Sequence, residues 1–121
     1  MFTYHHFGIP TKDSHPDEKY TPDFKMTTWG YETSEFRVQW MRFDNDCELH
    51  PLIQTVPHVA FLVEDLEEAL KGRHVIHGPT EPLEGFRVAF IEDGGAPIEL
   101  IETNLTEEEI ITQAEAKKAP S

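Results

Sequence analysis

Cysteine is almost missing from this sequence. Cys47 stands alone among 121 residues, so no internal disulfide can form. Basic residues are scarce too: ten Lys and Arg face 23 Asp and Glu, giving a net charge of −13. That balance argues against nucleic acid or an anionic membrane as a partner, because both are held by a basic surface. It names no substrate, since acidic surfaces mostly serve solubility. No apolar run approaches the roughly 18 residues of a membrane helix, and no signal-peptide pattern heads the chain, so a cytoplasmic protein is expected. Phosphate-binding loops and nucleophile elbows are also absent, which removes two common kinds of active site.

What is present is enough for one domain over residues 1–121 with a core of its own. The clearest local signal runs from Val56 to Gly72. Val56 to Val63 is apolar and β-branched except for His58, the composition of a strand buried on both faces. Asp65 follows as a helix N-cap, with Glu68 three residues on as its capping-box partner. Leu66, Ala69 and Leu70 make an apolar stripe, and Gly72 stops the helix. A buried imidazole at His58 needs a hydrogen-bond partner or a metal.

The other segments fall around this junction. Residues 2–9 read as a strand ended by Pro10, with Tyr4, His6 and Gly8 on one face. Residues 11–24 are polar, carry Pro16 and Pro22, and read as a long extended loop. Residues 25–31 and 34–43 suggest a hairpin turning near Glu32-Thr33. In its second strand Arg37, Gln39, Met41 and Phe43 share a face. Residues 44–55 read as a loop. After the Asp65 helix come a short strand at 74–77 stopped by Gly78-Pro79, a strand at 85–92, a tight turn at Asp93-Gly94-Gly95 and a return strand at 96–102. Thr106, with Glu109, caps a final helix over 106–118 that frays into the tail at 117–121.

The two halves echo one another. Each opens on a strand with an inward histidine, His6 or His58. Each closes on a strand with Gln39 or Glu99 beside aliphatic residues. The segments HFGIP (6–10), PHVAF (57–61), EDLE (64–67) and IELIE (98–102) resemble those of the vicinal oxygen chelate superfamily, which includes glyoxalase I, methylmalonyl-CoA epimerase, extradiol dioxygenases and bleomycin resistance proteins. The resemblance covers roughly residues 2–103. It implies an α+β fold of paired βαβββ modules curled around one cavity, here 1–55 and 56–105, with the first module shortened and its helix replaced by a loop. It also implies a divalent metal held by His6, Gln39, His58 and Glu99.

Such a mixed N/O donor set suits Zn, Ni, Co, Mn or Fe and is not a soft thiolate site. An ion there acts as a Lewis acid on a carbonyl oxygen, and Glu99 is then placed as general base for the adjacent carbon. The function expected is a glyoxalase-type lyase, epimerase or isomerase acting on a small molecule. A non-catalytic drug- or metabolite-binding protein of the same fold is the alternative. His5 replaces His6 as ligand if the strand slips by one residue. Arg37, on the face of Gln39, is a weaker candidate for contact with an anionic substrate. His15, His50, His74 and His77 read as ordinary surface residues. Trp29, Trp40 and Phe43 need cover that the shortened first half lacks, which predicts a homodimer.

Overall fold

In the computed structural model, which describes residues 2–118, eight strands join in one sheet. They are β1 (Thr3–Pro10), β2 (Lys19–Thr21), β3 (Met26–Trp29), β4 (Val38–Phe43), β5 (His58–Leu62), β6 (His74–Leu83), β7 (Phe86–Asp93) and β8 (Ala96–Thr103). Three helices accompany them: α1 (Pro51–Thr55), α2 (Leu66–Leu70) and α3 (Glu107–Lys118). Residues 119–121 of the tail expected to fray lie outside the described residues.

The strand order β2-β3-β4-β1-β5-β8-β7-β6 is the same motif written twice. In each half the first strand lies parallel to the last, β1 on β4 and β5 on β8. The halves meet where β1 and β5 pair antiparallel. The α+β, paired-module architecture expected from the sequence is therefore the one observed. So is the missing helix of the first module. Its place is taken by the 11–24 segment, which holds only β2 and a 3-10 turn at Pro22–Phe24. Two charge-assisted hydrogen bonds from Arg42 to Glu18, 2.9 and 3.0 Å, tie this segment to β4. They hold the Glu18 carboxyl at about 2.

Several boundaries differ from the sequence reading, each for a local reason. Residues 51–55 form a helix, not a loop. Pro51 occupies its first turn, and the His50 ring accepts a hydrogen bond from the Leu52 amide. A single turn is too short to show a helical period. Strand β6 does not stop at Gly78-Pro79 but runs to Leu83. It is an edge strand, where a missing amide donor is tolerated, and three register shifts absorb the irregularity. The β3–β4 connection spans residues 30–37, wider than the expected turn. Ser34 Oγ accepts from the Phe36 and Val38 amides and holds that segment out of the ladder. Arg37 thus precedes β4, with a left-handed backbone (φ 58°).

The core has two sides. On the outer face of the second half, Val63, Leu66, Ala89, Ile91 and Leu100 pack together under α2. That helix is set by the Asp65 side chain, which accepts from the Glu68 amide, and by Glu102, which accepts from the Leu66 amide at 2.7 Å. On the inner face Ala60, Val88 and Ile101 pack with Leu62 and Phe86. No such helix covers the first half among the described residues, and Trp40 and Phe7 stay more than a third exposed there. Leu66→Ala should lower stability by about 2–5 kcal/mol, the range for a fully buried leucine. Phe36→Ala, at a 70% exposed side chain, should stay within about 0.5 kcal/mol. Urea unfolding followed by tryptophan fluorescence measures both.

Candidate metal centre

The candidate ligands meet because the two halves repeat the same register. On the β1–β5 seam, His6 lies opposite Ala60 and Gly8 opposite His58. On the flanking strands, Gln39 lies opposite Gly8 and Glu99 opposite Ala60. In each half, then, the histidine sits two residues before the position that faces the Gln or Glu. Alternation puts all four on the inner face.

Three of the four side chains converge to one point. His58 Nε2 is 3.0 Å and His6 Nε2 3.2 Å from Glu99 Oε1, and the two imidazole nitrogens are 3.3 Å apart. All three residues are buried. Bonds of about 2.0–2.2 Å to a single ion place neighbouring donor atoms about 3.0–3.4 Å apart, for octahedral and tetrahedral angles respectively. The observed triangle fits that requirement. Burial pushes the Glu99 carboxyl up, but the His58 and His6 imidazoles beside it outweigh burial and hold it below the usual carboxylate range. A buried, ionised carboxylate beside two imidazole nitrogens is a hard-to-borderline donor set that suits a divalent ion. His58 Nδ1 is buried and finds no hydrogen-bond partner among the described residues. The ring's polar interaction therefore rests on Nε2. Gln39 lines the same cavity.

Gly8 is the residue that admits His58. A Cβ built there would lie 2.2 Å from His58 Cε1 and 2.6 Å from Nδ1, closer than any real contact. The ring occupies the space where a side chain on the neighbouring strand would be. Nothing in the sequence alone marks Gly8 for this role, because the clash depends on the cross-strand register.

His5 also enters the site. The β1–β5 register shifts between Tyr4 and His6, a bulge that breaks alternation and turns His5 inward with His6. His6, not His5, reaches the cluster. His5 Nδ1 lies 2.7 Å from His6 Nδ1, on the far side of that ring. Its own Nε2 is 3.1 Å from the Tyr31 hydroxyl and 3.4 Å from Glu107 Oε1, and the Tyr31 hydroxyl donates to Glu107 Oε2 at 2.7 Å. Burial and His6 hold His5 below its ordinary value, with Glu107 opposing. Tyr31 is pushed up by burial and by Glu107.

Above the cluster lies a cavity of about 240 Å³. Its walls are mostly apolar and include Met41, Ile53, Val88, Phe90 and Ile110. His77, expected at the surface, lines it as well, edge-on to Phe24 and Phe90. Burial lowers its pKa. Its place follows from the continuation of β6 past Gly78. Arg37 does not line this cavity. Its guanidinium lies over the Tyr31 ring, 4.9 Å from the centroid, and donates to the Tyr31 carbonyl. A second acidic group, Asp65, Glu67 and Glu102, is more exposed and already engaged by Arg87 and the α2 backbone.

No protein-family profile and no curated protein sequence matches the chain. Among solved structures, methylmalonyl-CoA epimerase from Mycobacterium tuberculosis is similar, at 19% identity over 85% of this chain and 89% of that one, with a TM-score of 0.52. At that identity the likeness speaks for the fold, which is the glyoxalase/bleomycin resistance/dioxygenase fold that the sequence resemblance implied.

Gly8→Ala should displace the His58 ring and lower zinc affinity by at least about tenfold while the fold persists. Chelator competition and circular dichroism read the two effects separately. Unchanged affinity would mean that the His58 ring can move aside without cost.

Proposed function

We propose that this protein is a metal-dependent enzyme that moves a proton next to the carbonyl of a small molecule, in the epimerase, isomerase or glyoxalase-type lyase class. The observation that carries this reading is the convergence of His6 Nε2, His58 Nε2 and Glu99 Oε1 within 3.3 Å at the base of a largely apolar cavity. These three residues would hold the ion, with Gln39 as a fourth, neutral ligand. Zn, Ni, Co, Mn and Fe all suit the set. A divalent ion so held supplies Lewis-acid stabilisation of the oxyanion that develops on a carbonyl.

The chain's own residues do the rest. Glu99, kept ionised, accepts the proton of the neighbouring carbon at a carboxylate oxygen. A carboxylate is a weak base and demands an acidic carbon, as one beside a polarised carbonyl is. Phe90 packs edge-on against His58, 5.1 Å between ring centres, and fixes that ring. Met41, Val88 and Ile110 exclude water from the proton being moved. The epimerase named above acts, by its name, on a coenzyme A thioester. Among the described residues lining the present cavity there is no lysine or arginine to meet phosphates. Arg42 is taken by Glu18, Arg87 by Glu67 and Lys25 by Asp46. The class of reaction is what this reading takes from the likeness.

Protein purified without chelator should hold one divalent ion per chain by elemental analysis, and His58→Ala should lose it. In D₂O, with a panel of α-hydroxy ketones, hemithioacetals and acyl thioesters, the loaded protein should wash deuterium into the α-carbon of its substrate. Glu99→Gln should lose that exchange by at least about 10²-fold. A His58→Ala protein with full metal content would overturn the site. Binding of panel members without exchange would replace the enzyme by a binding protein of the same fold.

Assembly completes the reading. Trp29 already stacks on His15 within the chain, but Trp40 and Phe7 remain open on the sheet face that has no covering helix. A second copy is the proposed cover. Sedimentation at micromolar concentration should give twice the 13.9 kDa chain mass, and Trp40→Glu should halve it. A wild-type species of single-chain mass would reject the dimer.

A further inference from the structure

We infer that His5, Tyr31 and Glu107 form a positioning relay that fixes the tautomer of His6 and aims its Nε2 lone pair at the metal site. The inference rests on the metal reading above, and it makes the start of α3 part of the site.

The argument follows the protons. An ionised carboxylate only accepts, so the Tyr31 hydroxyl donates to Glu107 Oε2 at 2.7 Å. With its one proton used, the Tyr31 oxygen accepts from His5 Nε2–H at 3.1 Å, and Glu107 Oε1 faces the same N–H at 3.4 Å. A neutral imidazole has one N–H, so His5 Nδ1 is left as an acceptor. Only the His6 Nδ1–H can donate to it across the 2.7 Å contact. His6 Nε2 then carries a lone pair, and it is this nitrogen that lies 3.2 Å from Glu99 and 3.3 Å from His58. Each link of the relay then has one direction, set at the far end by a carboxylate that is 43% exposed, and Glu99 takes its donor from His58 Nε2 at 3.0 Å. Metal-binding imidazoles generally need such a partner on the other nitrogen, and losing it costs about 10–100-fold in metal affinity.

Glu107 is held in place independently. The capping box Thr106–Glu109 closes reciprocally, at 2.9 and 3.2 Å, and fixes the first turn of α3. Ile110, one turn on, lines the cavity. The same helix start thus closes the cavity wall and orients a ligand at its base.

The test reads the tautomer directly. In ¹⁵N-labelled, metal-free protein at neutral pH or above, long-range ¹H–¹⁵N correlations should show His6 protonated at Nδ1 and bare at Nε2. Glu107→Ala removes the acceptor of the Tyr31 proton, so that proton can turn to His5 and reverse the chain. His6 should then shift toward the Nε2–H form, and zinc affinity by chelator competition should fall about 10–100-fold. His5→Leu should weaken zinc to the same degree. His5→Asn, which keeps an acceptor oxygen near the Nδ1 position, should restore most of the loss, as a purely packing role would not allow. The relay is wrong if Glu107→Ala leaves the His6 tautomer unchanged, or if His5→Asn is as weak as His5→Leu. Should the wild type bind no divalent ion while the tautomer still responds, the metal reading falls and the relay stands.

Discussion

Everything in this molecule depends on how β1 pairs with β5. That antiparallel seam joins two copies of one motif, and its register puts His6 two residues from the point where His58 crosses. A slip of one residue would send every inward side chain of one strand to the outer face. His6 would leave the cluster, and Glu99, in register with Ala60 across β5–β8, would keep only His58. Strand pairing, hydrophobic burial and ligand geometry are therefore specified together. The inner apolar residues Ala60, Val88 and Ile101 hold the same register that the polar cluster needs.

The duplication is not symmetrical, and the asymmetries fall at the site. In the second half Ala60 stands at the position that Gly8 takes in the first. Gly8 surrenders its side-chain volume to the His58 ring. In the second half a helix covers the outer face, and in the first a loop anchored by the Arg42–Glu18 pair runs instead. The first half gains an inward bulge at His5 and a tyrosine at the start of its β3–β4 crossing. One half supplies a carboxylate and a plain strand, the other a neutral amide and a polar network behind its histidine.

Much of this was legible in the sequence, and the unread parts share a cause. The Asp65 and Thr106 caps, the strand bearing His58 and the pairing of His6/Gln39 with His58/Glu99 follow from local chemistry and from repetition. Strand alternation gave the correct face for all four inward positions. It failed at His5, because a bulge is invisible to a period of two. His77, read as a surface residue at a strand end, was misplaced for another reason: an edge strand can carry Pro79 through and continue. Gly8, Tyr31 and Glu107 escaped for a different reason. Their roles exist only between segments far apart in the chain, and no local pattern encodes a cross-strand clash or a contact 76 residues away.

The chain's acidity fits the site once the cations are accounted for. With a net charge of −13, an unpaired buried carboxylate would be repelled from every side. Glu99 nevertheless lies below the usual carboxylate range, with the His58 imidazole at 3.0 Å as its donor. The His6 and His58 imidazoles can present lone pairs to an ion only if their protons are held elsewhere. For His6 the holder is His5, backed by Tyr31 and Glu107. For His58 no equivalent holder exists among the described residues, and its Nδ1 is left bare against the backbone of Gly8. A buried nitrogen without a partner costs roughly 1–3 kcal/mol, so His58 is the ligand whose placement depends most on what binds at Nε2. His6 is set by its own protein before any ion arrives. On the proposed reading the site divides its work: one histidine would be oriented by a relay reaching the surface, and the other by an ion bound at Nε2 and the space that Gly8 leaves for it.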